Sequence, residues 1–379
     1  MPDAVLVLED GRAFYGRRFG ARGEAGGEVV FNTAMTGYPE ILSDPSYSRQ
    51  LVALTYPMIG NYGIAEADLE SSRAHAAALI VRESSLASCN WRQDLTLDAY
   101  LQQQGVPGLL GVDTRALVRH LRDRGAQRGL IADAQEDLAP LLARARAVPS
   151  MQGADLASQV STTRAYAWVE GSPSLDGGVL AAAVEPAAAV QRDRRPHVAV
   201  LDYGVKRNIL RRLVDCGCNV TVLPAHTAAV DILAQGFAGV VLSNGPGDPE
   251  PCKAAIACIR GLLGRLPLFG ICLGHQLLCL AVGAKSFKLP FGHRGGNHPV
   301  MDLESRRVLI TAQNHGFAID PDSLPATALV THVSLNDRTL EGIRLTDVAA
   351  FSVQFHPEGA PGPSDAAYLF NRFIALLPA

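Results

Sequence analysis

The sequence predicts an α/β protein in two parts, an N-terminal mixed α and β domain followed by a C-terminal doubly wound, mostly parallel sheet. Three observations predict it. From His197 onward, short continuous apolar runs alternate with segments of helical period. A stretch rich in Gly, Ala and Pro, residues 171–196, precedes that rhythm and reads as a linker. Before it lie several short strand-like runs and one well-marked helix, without the regular alternation. The expected boundaries are 1–150 for the first domain, 151–195 for a connecting region and linker, and 196–379 for the second domain.

In the first domain, "AVLVLEDGRAFYG" reads as a hairpin turned at Asp10-Gly11. "GEVVFNT", "QLVALTY" and "AALIVRE" are further short strands. "DTRALVRHLRDRG" (113–125) is a helix with Asp113 as N-cap and Gly125 as stop. In the second domain, "HVAVLDYG" is a continuous apolar run, as expected of a strand buried on both faces. "KRNILRRLVDCG" places Ile209, Leu210 and Leu213 on one helical face and stops at a glycine. Strand "NVTVLP", a helix within 226–236, strand "AGVVLSN", helix "PCKAAIACIRGLLG", strand "LPLFGI" and helix "LGHQLLCLAVG" continue the alternation. Near the C-terminus "VAAFSVQF" is another candidate core strand. Ligands of such sheets sit beyond the carboxyl ends of the strands. That directs attention to the loop "SNGPGDP" (243–249) and to the turn at Cys272.

Composition narrows the function. With 48% hydrophobic and 19% charged residues and a net charge of −3, the chain has no electrostatic footprint for nucleic acid. No apolar run reaches the roughly 18 residues that span a bilayer, and the N-terminus has no secretory pattern. A cytoplasmic protein with neither membrane nor nucleic-acid partner is expected. Seven cysteines form no C-x-x-C pair, so no metal site is expected. The "CGC" at 216–218 fits packing at a helix end in a reducing cytosol.

Cys272, in "GICLGHQ", stands between a strand and a helix. A tight turn there lifts a side chain out of the sheet, and Gly270 and Gly274 permit the crowding, as in the serine hydrolase elbow. The following helix aims unpaired N–H groups and its positive dipole end at the sulfur, which favours thiolate. The N–H of Leu273 is placed to bind an oxyanion. Taken alone, the same pattern fits a buried packing cysteine equally well. "VQFHPEG" supplies a base at another strand end: His356 and Glu358, two apart, project to the same side if the chain is extended. A carboxylate on one imidazole nitrogen leaves the other for Cys272, which is triad logic. The glycines of "SNGPGDP" let backbone N–H groups approach a ligand, although a plain turn uses the same residues.

"GICLGHQ", "SNGPGDP" and "FHPE", in this order, resemble the class I (triad) glutamine amidotransferases. The resemblance implies that fold for the second domain, with Cys272 as nucleophile, His356 as general acid/base and Glu358 as its orienting carboxylate. The first half narrows the resemblance. "GEVVFNTAMTGYPEILSDPSYSRQLVALTYPMIGNYG" is similar to the N-terminal domain of the small, glutaminase subunits of carbamoyl phosphate synthetase. "GVDTRALVRHLRDRG", "DYGVKRNILR", "FGHRGGNHPV" and "TAQNHGFA" resemble segments of the same family. Carried over by motif, glutamine and its oxyanion would be held by Ser46, Gly245, Gly247, Leu273, Gln276, Asn314, Gly316 and Phe317. Ser46 fits a turn cap equally well, and His315 a satisfied structural histidine.

The resemblance implies a heterodimer in which this chain hydrolyses L-glutamine through a glutamyl thioester. Ammonia passes to a large subunit, which forms carbamoyl phosphate for arginine and pyrimidine biosynthesis. No cofactor is expected in this chain; ATP, bicarbonate and Mg belong to the large subunit, and the chain has no G-x-x-x-x-G-K-[ST] motif. Two other readings stand beside it. A triad glutaminase for anthranilate or GMP synthesis would share the catalytic domain but not the first half. A non-catalytic docking or regulatory subunit would keep the fold without needing Cys272, His356 and Glu358 together.

Overall fold

The computed structural model describes residues 2–85, 87–173 and 195–378. Most of the linker expected over 171–196 lies outside these residues. The chain forms two compact units, Met1–Ala154 with Lys288–Asn297, and Asp155–Phe287 with His298–Ala379. Among the described residues, no helix is long and apolar enough to cross a membrane.

The first unit is built on a closed seven-stranded barrel. Ala4–Leu8 and Ala13–Gly20 form the expected hairpin, with Gly11 at a φ of 95° in its turn. Closure comes from Gln127–Asp133, which pairs antiparallel with Ala4–Leu8 on one side and with Ala25–Asn32 on the other. Parallel pairings run from Ala25–Asn32 through Gln50–Leu54 and Ala78–Val81 to Pro107–Leu110. Leu6, Leu8, Val29, Leu51, Ile80, Leu109 and Ile131 form the barrel's core, sealed by Leu117 and Leu121 from the helix Thr114–Arg124. That helix starts as expected: the Asp113 carboxylate accepts the Ala116 N–H at 2.9 Å. Residues 288–297 join this unit through Arg294 and Pro290, whose carbonyls accept from Thr33 and Ala126, and through Phe291, stacked on Phe31 at 5.8 Å.

The second unit contains the alternating strands and helices. Five parallel strands stand in the order Asn219–Pro224, His197–Asp202, Gly239–Leu242, Leu268–Ile271 and Ala350–Val353. Side chains alternate between the two faces with the period of two. Val198 and Val200 meet Ile209, Leu210 and Leu213 of helix Arg207–Asp215 and Phe370 and Phe373 of helix Tyr368–Ile374. Ala199 and Leu201 face the opposite core, with Ile256, Ile259 and Leu262 of Lys253–Leu262 and Leu277 and Leu278 of Leu273–Ala281. Helices thus cover both faces, as a doubly wound sheet requires. Helix Arg207–Asp215 ends as its sequence predicts: Gly217 takes a φ of 84° and the Cys218 N–H returns to the Leu213 carbonyl.

Two features go beyond the sequence reading. Tyr166–Trp168, within the segment read as connecting, is an antiparallel edge strand on Asn219–Pro224. At the other edge the sheet continues antiparallel through Leu340–Leu345, Ala328–Ser334, the end of Ser286–Asp302, and Val308–Ile319. All seven cysteines are free, and Cys216 lies against Asn371 rather than bridging to Cys218.

Phe269 anchors the middle of the sheet, with its ring 4.5 Å from Phe351, 5.7 Å from Phe370 and 5.9 Å from Phe373. Phe269→Ala is expected to destabilise the second unit by about 3–5 kcal/mol in urea unfolding. A loss below about 1 kcal/mol would mean that this core collapses onto the cavity at little cost.

Candidate active site

Four strand ends at the carboxyl edge of the parallel sheet supply the site. After Leu268–Ile271, Cys272 takes a φ of 54° and ψ of −104° as the cap of helix Leu273–Ala281. That backbone is strained for a residue with a side chain. Neighbouring groups hold it: the Cys272 N–H donates to the Val353 carbonyl at 2.9 Å and the Gly274 N–H to Ser243 at 3.0 Å. The flanking glycines are required by space. A Cβ on Gly274 would stand 2.1 Å from the Leu242 carbonyl oxygen, and one on Gly270 would stand 2.7 Å from that of Gly274. The Leu273 N–H belongs to the first helical turn, where no intrahelical acceptor exists.

Ala350–Val353 leads to His356 and Glu358, both buried. His356 Nδ1 lies 2.6 Å from Glu358 Oε1. The pair comes together through a turn at 357–358 rather than through extended chain. Pro357 has no N–H with which to continue a ladder, so the chain folds back instead. The His356 N–H is fixed separately, on the Ala312 carbonyl at 2.9 Å.

A third member of this group goes unnoticed in the sequence reading. Lys206, 2% exposed, places Nζ 2.5 Å from the same Glu358 Oε1. It sits just past strand His197–Asp202, and its own N–H donates to Asn244 Oδ1 at 3.1 Å. The available signal is position alone: "DYGVK" follows a central parallel strand, where ligand-site residues collect. Burial works against a charged Glu358, but Lys206 and His356 outweigh it and hold the carboxyl well below the usual range. Burial likewise disfavours the His356 imidazolium. The Glu358 carboxylate overrides that, with Lys206 opposing and Cys272 adding, so the imidazole is held well above its ordinary value.

His356 Nε2 is buried and completes no hydrogen bond among the described residues. The Cys272 sulfur is near enough to favour the charged ring. The sulfur lies 3.6 Å from the Asn314 carbonyl oxygen and 3.7 Å from Gln354 Nε2. Burial pushes the thiols of Cys218 and Cys252 up to about 12 and that of Cys258 up to about 11.

Of the glutamine-binding candidates, Leu273 and Gln276 lie on the helix after Cys272, and Asn314, Gly316 and Phe317 lie on strand Val308–Ile319. Gln276 Nε2 donates to the Phe317 carbonyl at 2.9 Å, and Asn314 touches the sulfur, so these elements converge. Gly245 and Gly247 occupy the loop after Gly239–Leu242. A Cβ on Gly245 would stand 2.1 Å from the Tyr203 carbonyl oxygen and 2.9 Å from Leu273 Cδ2, which ties the loop to the nucleophile turn. Ser46 belongs to the first unit, in a short 3-10 turn where its N–H donates to Asp44 Oδ1 at 2.8 Å. His315 is held at both nitrogens, by the Phe317 carbonyl at 2.8 Å and Gln313 Oε1 at 2.9 Å, as a structural histidine would be.

Comparison with known proteins agrees with these two units in kind. Residues 199–376 match the family model described as glutamine amidotransferase class-I. Residues 6–131 match that of the carbamoyl-phosphate synthase small chain, CPSase domain. The chain is 53% identical over 374 residues to the carbamoyl phosphate synthase small chain of Syntrophotalea carbinolica, covering 99% of this chain and 97% of the relative. With the protein of the same name from Escherichia coli strain K12 it shares 54% identity over 376 residues, again 99% and 97% of the two chains. At that identity over essentially the whole length, the chain belongs to the carbamoyl phosphate synthase small chain family, and its second half is a class-I glutamine amidotransferase domain.

Proposed function

We propose that this chain is the glutamine-hydrolysing subunit of a carbamoyl phosphate synthase and that Cys272 carries the glutamyl group as a thioester. The observation that supports it most is a cysteine held at a strained strand-to-helix turn beside a buried imidazole whose charge is fixed by Glu358.

In this reading the Cys272 thiolate attacks the side-chain amide carbon of glutamine. The oxyanion is met by the N–H of Leu273 and by the Gly245–Gly247 loop; losing one such donor costs about 10²–10³ in rate. His356, kept as imidazolium by Glu358, protonates the departing nitrogen, the C–N bond breaks, and ammonia leaves. Water, its proton taken by the neutral imidazole, then cleaves the thioester to glutamate and free Cys272. Gln276, Asn314, Gly316 and Phe317 complete the glutamine site within the second unit. Lys206 positions Glu358 and supplies part of its counter-charge.

Family membership supports a large-subunit partner, to which the ammonia passes for carbamoyl phosphate formation. ATP, Mg and bicarbonate act there, and the glutamine step in this chain needs no cofactor. The product supplies arginine and pyrimidine synthesis, in the cytoplasm.

Cys272→Ser is expected to lower glutamine hydrolysis by at least about 10³-fold while the complex, given ammonia directly, still forms carbamoyl phosphate. Hydrolysis at the wild-type rate would remove Cys272 from the mechanism. Glu358→Gln tests the charge on His356. With its value raised, the imidazolium's stabilising contribution is complete below about 6.5 and is lost only as pH rises through the raised value. Glu358 contributes above about 4.5 and loses its contribution as pH falls through its depressed value. The alkaline fall in kcat should therefore move down by about one pH unit or more in Glu358→Gln. An unmoved alkaline limb would show that another group controls it.

A further inference from the structure

We infer that Gln354 is a positioning residue for the nucleophile: its side-chain N–H holds the Cys272 sulfur, with its orientation set through Gln276 by the Phe317 carbonyl. The inference rests on Cys272 being the nucleophile, as proposed above.

Gln354 is wholly buried, one residue beyond strand Ala350–Val353, and its backbone N–H is fixed on the Glu341 carbonyl at 2.9 Å. Its Nε2 lies 3.7 Å from Cys272 Sγ and its Oε1 lies 3.0 Å from Gln276 Nε2. Gln276 Nε2 in turn lies 2.9 Å from the Phe317 carbonyl oxygen. The two ends of an amide look alike in shape, so its direction has to be argued from its partners. A backbone carbonyl can only accept. The NH₂ of Gln276 must therefore face Phe317, and the same NH₂ then faces Gln354, which must present its oxygen. The remaining end of Gln354, its NH₂, points at the sulfur. Flipping Gln276 would set oxygen against oxygen, and flipping Gln354 would set NH₂ against NH₂, in a buried site.

This direction matters because the sulfur's contact with the Asn314 carbonyl is of opposite kind. The Asn314 carbonyl, at 3.6 Å, accepts from the thiol S–H and opposes a thiolate. Gln354 is the contact that strengthens when the sulfur becomes an anion, since a hydrogen bond to a charged acceptor is about twice as strong as a neutral one. Gln276, a candidate glutamine contact, thus also steers the group that steadies the nucleophile. A glutamine that only filled the core would be insensitive to the charge on the sulfur.

The test follows iodoacetamide alkylation of the Cys272 peptide in the full chain across pH, alongside glutaminase kinetics. In Gln354→Met the pH of half-maximal alkylation should rise by about one unit or more. Meanwhile kcat should fall about tenfold with KM changed less than about threefold. Gln354→Glu, which keeps the shape but sets a carboxylate at the sulfur, should move the midpoint further up. A midpoint in both variants equal to that of the wild type would overturn the inference, even if kcat fell. If neither variant folds, the unaltered chain decides: the side-chain amide signal of Gln354 should titrate together with Cys272, and a signal unchanged across that pH range overturns the inference. Failure of the underlying reading looks different, because wild-type Cys272 would then not be alkylated ahead of the buried thiols.

Discussion

A wholly buried carboxylate, Glu358, sets the terms for the second unit. Removing such a charge from water costs several kcal/mol even after the protein relaxes, so it persists only with close, well-placed partners. Here both partners converge on one oxygen, Lys206 at 2.5 Å and His356 at 2.6 Å. Neither comes from the same strand end as the other. Lys206 follows His197–Asp202 and His356 follows Ala350–Val353, with Gly239–Leu242 and Leu268–Ile271 between them in the sheet. The parallel order of those strands is what brings a lysine and a histidine 150 residues apart to one carboxylate. The consequence is chemical as well as structural: the same carboxylate that needs counter-charges keeps the imidazole protonated.

The second constraint is steric. Cys272 occupies a backbone conformation that L-residues avoid, and it can do so because Gly270 and Gly274 leave room where a methyl group would strike a carbonyl oxygen. Strain and charge are then coupled through one strand, since Val353 accepts the Cys272 N–H and leads directly into Gln354, Phe355 and His356. A displacement at either end would be felt at the sulfur.

Much of this was legible in the amino acids because the signals are local. Continuous apolar runs such as "HVAVLD" mark strands buried on both faces, and Asp113 and Gly125 mark a helix by its caps. Cys272 between small residues, and His356 two before Glu358, carry their own spacing. What escaped depends on distant partners. Barrel closure pairs Ala4–Leu8 with Gln127–Asp133, and nothing in either run names the other. The antiparallel edge takes in the end of Ser286–Asp302, and the "FGHRGGNH" before it has the glycine and polar content of a loop. Lys206 looks like an ordinary helix-start cation until the fold buries it against Glu358, and Gln354 looks like the next polar residue of an alternating strand. Their roles are set by three-dimensional neighbours, which periodicity does not encode.

The most direct test of the account asks whether carbon from glutamine becomes bonded to Cys272. The full chain with its large partner would be mixed with glutamine, quenched in acid during turnover, and mapped by peptide mass. The account predicts an adduct on the Cys272 peptide with the mass of glutamine less ammonia, absent when glutamine is omitted. Turnover without that adduct, or with the adduct on a different residue, would contradict it.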